Sequence, residues 1–288
     1  MSVFNGEIYV EQAVNSILEQ SYKNYELIII NDGSTDRTSI ILDQLSKLDN
    51  RIKVYHSENK GLIRQLNFAI TVAKGIWIAR MDADDVSEKY RLEKQLKYLI
   101  GEELDLCGSW YAVIDKKGAT IDKIETPVTH IDITCALVRR CPFAHGSVMG
   151  RAEIFQKFSY CEDKFTSVED LYLWQRMSMA GVRMGNVPEY LFKYRDHGAS
   201  FSKSKIKKMT DEALILCQAK ISYLKQAQDI MRGYTPISNS SRVDHIYYLL
   251  STRSFNALLC KYSQHKLSIL KAMLIFIKNN LKYVRHVK

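Results

Sequence analysis

Residues 26–36 read ELIIINDGSTD. The apolar run 27–30 does not alternate with polar residues, as expected of a strand covered on both faces. It stops at Asn31-Asp32, and Gly33 to Asp36 supply a turn and a helix start. Upstream, IYVEQAVNSILEQ (8–20) places Ile8, Val10, Val14, Ile17 and Leu18 at helical spacing. Downstream, 37–48 predicts a helix, IKVYHS (52–57) a strand, 61–74 a helix and IWIARM (76–81) another strand. Strand and helix alternating at this rhythm predict an α/β fold with a doubly wound, mostly parallel sheet. Farther along, LDLCGSWYAVID (104–115) predicts a strand and KKG (116–118) a turn, while TSVEDLYLWQRMSMA (166–180) predicts a helix stopped at Gly181. Residues 127–165 show no clear period. From Lys203 onward the pattern is helical and basic, broken at GYTPISNSS (233–241), so the chain divides into residues 1–202 and a C-terminal helical extension, 203–288.

The 288 residues are 46% hydrophobic and 25% charged, enough for a globular domain with a sizeable core. Six cysteines, at 107, 135, 141, 161, 217 and 260, form no C-x-x-C pair, which argues against a zinc site or a disulfide framework and for a reducing cytoplasm. The net charge of +9 is uneven: 201–288 hold sixteen Lys/Arg against four Asp/Glu, leaving the rest slightly acidic. Such a tail suits an anionic surface, either nucleic acid or membrane lipid. No apolar run approaches the roughly 20 residues of a membrane-spanning helix. SILKAMLIFIKNNLKYV (268–284) instead pairs an apolar face with basic positions, as in a helix lying on anionic lipid or in a lid packed on the first domain.

The strand at 76–81 runs into Asp82, Asp84 and Asp85. Carboxylates this close raise one another's pKa unless a positive charge sits among them. In doubly wound sheets ligands bind beyond the carboxyl ends of strands, where both Asp32 and this cluster fall. The competing reading is capping, with Asp84, Asp85 or Ser87 starting a helix near Glu88.

NDGSTD (31–36), ENKG (58–61), ARMDADDVS (79–87), AHGSVM (144–149), VEDLYLWQR (168–176) and YRDH (194–197), in this order, resemble the family 2 glycosyltransferases of bacteria, which have the glycosyltransferase A-type fold. The resemblance covers about residues 1–200. It implies a UDP-sugar donor and a Mg²⁺ or Mn²⁺ ion at a D-x-D pair, with Asp84 the direct ligand and Asp82 nearer the ribose. It also places Asn5 and Asp32 near the nucleotide, with Asp32 on the uracil ring, His197 near the metal or diphosphate, and Asp170 as catalytic base. Without the resemblance, Asp32 reads as an Asx-turn residue, Asp36 and either Glu169 or Asp170 as first-turn acids favoured by the helix dipole, Asp85 as a capping or orienting group, and Trp174 and Arg176 as packing and surface. Three departures stand out: Tyr172 where relatives carry an acid, Gly146 where they carry proline after the counterpart of His145, and a start at Met1-Ser2-Val3-Phe4 where they carry a longer first strand. A shortened central strand would expose its neighbours, so low solubility or activity is expected.

The expected function is therefore inverting, metal-dependent transfer of a hexose from a UDP-sugar to a saccharide or polyprenyl-linked saccharide in cell-surface polysaccharide assembly. The expected setting is the cytoplasm, at the inner face of the plasma membrane, with residues 203–288 meeting anionic lipid and no nucleic acid partner. An inactive nucleotide-sugar-binding or scaffold protein and a nucleotidyltransferase are the alternatives.

Overall fold

Strand β1 (Ser2–Val3), helix α1 (Val10–Leu18), β2 (Leu27–Asp32), α2 (Thr38–Leu48), β3 (Ile52–Ser57) and α3 (Leu62–Val72) open the chain. In this computed structural model the described residues are 1–197, 208–213, 215–216, 244–247, 268, 272 and 275. The first three strands form a parallel sheet in the order β1-β2-β3, with Ser2 opposite Ile30 and Leu27 opposite Ile52. Ile29 and Ile30 are fully buried, as the unbroken apolar run requires. Met1 N donates to Ile28 O at 2.9 Å and Ile30 N to Met1 O at 2.9 Å, so the two-residue β1 continues its ladder backwards by one residue.

The second half comprises β4 (Trp77–Ala79), β5 (Val86–Ser87), α4 (Arg91–Gly101), β6 (Leu106–Ile114), β7 (Thr120–Ile124), α5 (His130–Ala136), a 3₁₀ turn (His145–Ser147), β8 (Met149–Arg151), α6 (Ala152–Lys157), α7 (Glu169–Met179) and β9 (Met184–Arg195). Its sheet runs β4-β8-β6-β9-β5, with β7 hairpinned onto β6. Most register positions over both sheets are parallel, chiefly in the β2–β3 and β6–β9 ladders. Val3, Val14 and Ile29 share one buried cluster with Met81, Ala144 and Phe192, so the two sheets close on a common core.

The sequence pattern did not show β9, the longest strand. Pro188 breaks its apolar rhythm, and proline normally argues against a central strand. Here Ser109 pairs with Val187 and Trp110 with Tyr190, so Pro188 and Glu189 are skipped in a bulge where no ladder N–H is needed. The helix expected near Glu88 begins at Arg91, because Val86 and Ser87 join the sheet beside β9 and Glu88 N donates to Leu191 O at 3.0 Å. Asp84, Asp85 and Ser87 are therefore not helix caps. Residues 127–165 hold four short elements, each too brief to show a period. Among the described residues the four cysteines form no disulfide.

Of the C-terminal extension, Met209, Ala213 and Leu216 pack on the core around Val168 and Leu171, and Ile246 and Tyr247 are buried. Apart from positions 268, 272 and 275, the expected lipid-facing helix 268–284 lies outside the described residues, as does the break at 233–241. Among the described residues no helix is long and apolar enough to cross a membrane.

Trp174 on α7 is completely buried, with its ring edge-on to Phe143, Phe155 and His145. Trp174→Ala should cost about 3–5 kcal/mol of stability, seen as a lower urea midpoint with little change in m-value.

Candidate active site

Beyond the carboxyl ends of β1 and β2, two loops hold each other. Asn5 N donates to Ser34 Oγ at 3.0 Å and Thr35 N donates back to Asn5 Oδ1 at 2.8 Å, while Glu7 N donates to Asp36 Oδ2 at 3.1 Å and Arg37 N to Glu7 Oε2 at 3.0 Å. Asn5 takes φ +51°, in the left-handed region that asparagine tolerates better than most residues. Burial pushes the Asp36 pKa upward, but bonds from Thr38 and Glu7 outweigh it and hold the group below its usual value. Asp32 is buried, and its oxygens accept from Lys60 N (2.7 Å), Gly61 N (3.0 Å) and Gln65 Nε2 (2.5 Å). The end of β2 is thus tied to the start of α3, and Gly61 allows the turn with φ +86°.

The acidic cluster meets cations from its own chain. Asp82 is ion-paired to Arg80, itself 7% exposed. Burial raises the pKa of Asp82, Arg80 offsets part of that rise, and Asp84 adds to it. Asp84 is the more open of the pair, with its side chain 37% exposed, and its Oδ2 lies 2.8 Å from His197 Nε2. Asp85 is buried. Its Oδ1 accepts from Arg195 N at 2.7 Å, and burial, then Asp82 and Asp84, drives its pKa well up. Arg195 braces the whole turn: Nε donates to Asp84 O (2.7 Å), Nη1 to Asp115 O (3.0 Å) and Nη2 to Gln12 Oε1 (2.6 Å), with the guanidinium over the Tyr9 ring. The Tyr9 ring also lies 5.4 Å from His197. A Cβ at position 146 would overlap the Phe192 ring and stand 3.1 Å from Asp85 Oδ2, which explains glycine there.

A third group of side chains surrounds the N-terminus of α7. Asp170 Oδ1 accepts from Leu171 N at 2.6 Å, and Cys141 Sγ lies 3.3 Å from Oδ2. Burial raises the pKa of Asp170, with the Leu171 and Cys141 bonds opposing it. Glu169 is pushed up to about 8 by burial and by Asp170. His145 is held neutral by burial and by Arg80; its Nε2 lies 2.6 Å from Tyr160 Oη and its Nδ1 4.0 Å from Glu169 Oε1. At neutral pH Glu169 and His145 are both largely uncharged, so their approach is not an ion pair. Arg80 touches Asp82 and acts electrostatically on Asp85, Glu169, Asp170, Tyr160 and His145, so its charge is felt both at the D-x-D turn and at the α7 N-terminus.

The family model described as "Glycosyl transferase family 2" matches residues 1–158. This chain belongs to glycosyl transferase family 2. It is a glycosyltransferase, which sets the nucleotidyltransferase alternative aside. An uncharacterized glycosyltransferase of Haemophilus influenzae is 35% identical over 206 residues, 68% of this chain and 64% of that relative, so the match spans less than two thirds of the relative's length. The O-antigen biosynthesis glycosyltransferase WbnJ of Escherichia coli is 38% identical over 208 residues, 71% of this chain and 81% of that one. The crystal structure of S. aureus TarS 1–349 in complex with UDP-GlcNAc superposes with a TM-score of 0.62 at 16% identity, covering 96% of this chain and 87% of that chain, a likeness of fold. The transferase thus has the expected glycosyltransferase A-type architecture.

Within this transferase, the structure joins Asp84 to His197 and brings Asp82 and Asp170 under the influence of Arg80; Asn5 and Asp32 line the neighbouring nest of loops. Among the described residues no three His, Cys, Asp or Glu side chains converge as a ready-made metal cage. Arg80, Arg195 and Tyr160 went unnoticed in the sequence, and Glu169 was read only as a first-turn acid. Arg80 and Arg195 stand inside two quoted motifs, ARMDADDVS and YRDH, and a search for cations beside the acids would have found both.

Glu169 yields a pH test. Its folded pKa near 8 exceeds the ordinary 4.5, so the folded state keeps a proton that the unfolded chain releases, and stability falls as pH rises between those values. Glu169→Gln should therefore gain on the parent protein as pH goes from 5 to 9, by roughly 5 °C or more in Tm at the alkaline end. A pH-independent Tm difference would contradict this environment for Glu169.

Proposed function

We propose that this transferase moves a hexose from a UDP-sugar to a saccharide acceptor, with inversion at the anomeric carbon, during assembly of a cell-surface polysaccharide. The observation that carries the reading is the pairing of the partly exposed Asp84 with His197, on a turn braced by Arg195 and linked through Arg80 to Asp170.

Asp84, backed by Asp82, is the proposed holder of Mg²⁺ or Mn²⁺. Such ions take one or two carboxylates and fill their remaining positions with water and substrate phosphate, so the partly exposed Asp84 with Asp82 behind it fits better than a closed cage would. When bound, the ion supplies positive charge to the departing diphosphate. Asn5 and Asp32 stand in the loops proposed to meet the nucleotide. Asp32 already accepts three bonds from its own chain and would have to share its oxygens with a uracil N–H. His197 is proposed to stand at the diphosphate edge, oriented by Asp84 and Tyr9.

Asp170 is proposed to take the proton of the acceptor hydroxyl as the new glycosidic bond forms. A carboxylate with a raised pKa is better matched to that task at neutral pH, whereas Glu169, near 8, is mostly protonated there and is a poorer base. The acceptor is proposed to be a saccharide, free or carried on a polyprenyl lipid. WbnJ's role in O-antigen biosynthesis supports the polysaccharide setting. The excess of Lys and Arg in residues 203–288 supports work at the cytoplasmic face of the plasma membrane, against anionic lipid.

UDP release from a panel of UDP-hexoses should require Mg²⁺ or Mn²⁺ and stop with EDTA. Asp84→Ala should abolish it, and Asp170→Asn should lower kcat by roughly 10²–10⁴-fold with little change in donor KM. Turnover that survives EDTA or Asp84→Ala would refute the metal reading, and full activity in Asp170→Asn would refute the base.

A further inference from the structure

Residues 201–288 contain only four acids, Asp211, Glu212, Asp229 and Asp244, among sixteen basic residues. Two of these acids reach into the first domain at places that flank Asp170. Glu212 Oε2 accepts from Ser167 N at 3.0 Å. Ser167 is 3% exposed, so without Glu212 this amide would lose a charged acceptor in a buried setting. Lys208 Nζ donates to Thr166 Oγ1 at 3.0 Å and lies 3.6 Å from Glu212, while Met209, Ala213 and Leu216 pack on the core that includes Val168 and Leu171. The approach to Asp170 from the N-terminal side is thus fastened by polar and apolar contacts together.

Asp244 holds the other side. It is fully buried, accepts from Arg139 Nε at 2.5 Å and Arg140 Nη2 at 3.0 Å, and those arginines immediately precede Cys141, whose thiol meets the Asp170 carboxylate. A buried carboxylate is tolerable only with such pairing, and loss of one partner strands the other charges. The two anchors lie more than thirty residues apart in sequence, yet one holds the peptide just ahead of Asp170 in the chain and the other holds the arginines just ahead of Cys141, whose thiol meets the Asp170 carboxylate.

We propose that Glu212 and Asp244 are positioning residues for Asp170: the C-terminal extension clamps segments 166–168 and 139–141 and so fixes where that carboxylate stands. The inference rests on the reading of Asp170 as the base. It makes the basic extension part of the catalytic centre's support, apart from any contact it makes with lipid.

The test uses the full chain with Glu212→Ala, Glu212→Gln and Asp244→Asn. Hydrogen exchange should quicken by about fivefold or more at 166–172 in Glu212→Ala and at 137–142 in Asp244→Asn, and Glu212→Gln, which keeps an acceptor oxygen, should restore the parent rate. The ¹³C-carboxyl titration midpoint of Asp170 should move in Glu212→Ala and Asp244→Asn and return in Glu212→Gln. With UDP-glucose, UDP-galactose and UDP-GlcNAc as donors, kcat should fall roughly tenfold while donor KM stays within about twofold. A lower Tm with an unmoved Asp170 midpoint would show contacts that only stabilise the fold, and would overturn the proposal. Should Glu212→Ala fail to fold, Asp244→Asn decides alone, with unchanged exchange and midpoint counting against the clamp. Failure of the base itself reads out separately, as full turnover in Asp170→Asn, and leaves the exchange and titration results interpretable.

Discussion

The guanidinium of Arg80 is the constraint on which the site depends. It is buried, paired with Asp82, and its field reaches Asp85, Glu169, Asp170 and Tyr160. Burial opposes its charge, yet the surrounding acids outweigh that cost and its pKa is raised. Asp82, Asp85, Glu169 and Asp170, from two distant parts of the chain, all feel that charge, and even so burial holds them above their ordinary pKa values. Removing that charge would leave acids that must protonate or move apart.

Around this centre the second constraint is geometric. Arg195 ends β9 and donates to backbone carbonyls of the D-x-D turn and of the β6–β7 hairpin, while its own amide donates to Asp85. The turn that carries Asp84 is therefore built from the core outward: Asp85 faces in, Asp84 faces partly out, and Gly146 gives Phe192 and Asp85 room to pack. Rigid backing of this kind lets a partly exposed carboxylate keep one orientation. Burial separates the adjacent acids: the buried Asp85 holds the loop, and the more open Asp84 pairs with His197.

The C-terminal segments extend the same logic. Two of the four acids of this basic region, Glu212 and Asp244, make contacts with the preceding part of the chain at buried positions. Reading its net charge alone misses this, since the structural content lies in the minority of opposite sign.

The first half of the fold was legible because its signals are local. The run 27–30, the turn at Gly33 and the strand 52–57 each declare themselves within a few residues, and the observed β2 and β3 agree with them. Asp32, Asp84, Asp170 and His197 were legible as an ordered set of motifs, although the pairing of Asp84 with His197 across 113 positions was not. The strand β9 was hidden by Pro188, whose bulge is tolerated only because the β6 partner allows a skipped register. Sequence by itself determined which residues carry charge and which segments must be buried. Tertiary structure decided which charges meet, because charge compensation at Arg80 and Arg195 acts through space between groups far apart along the chain.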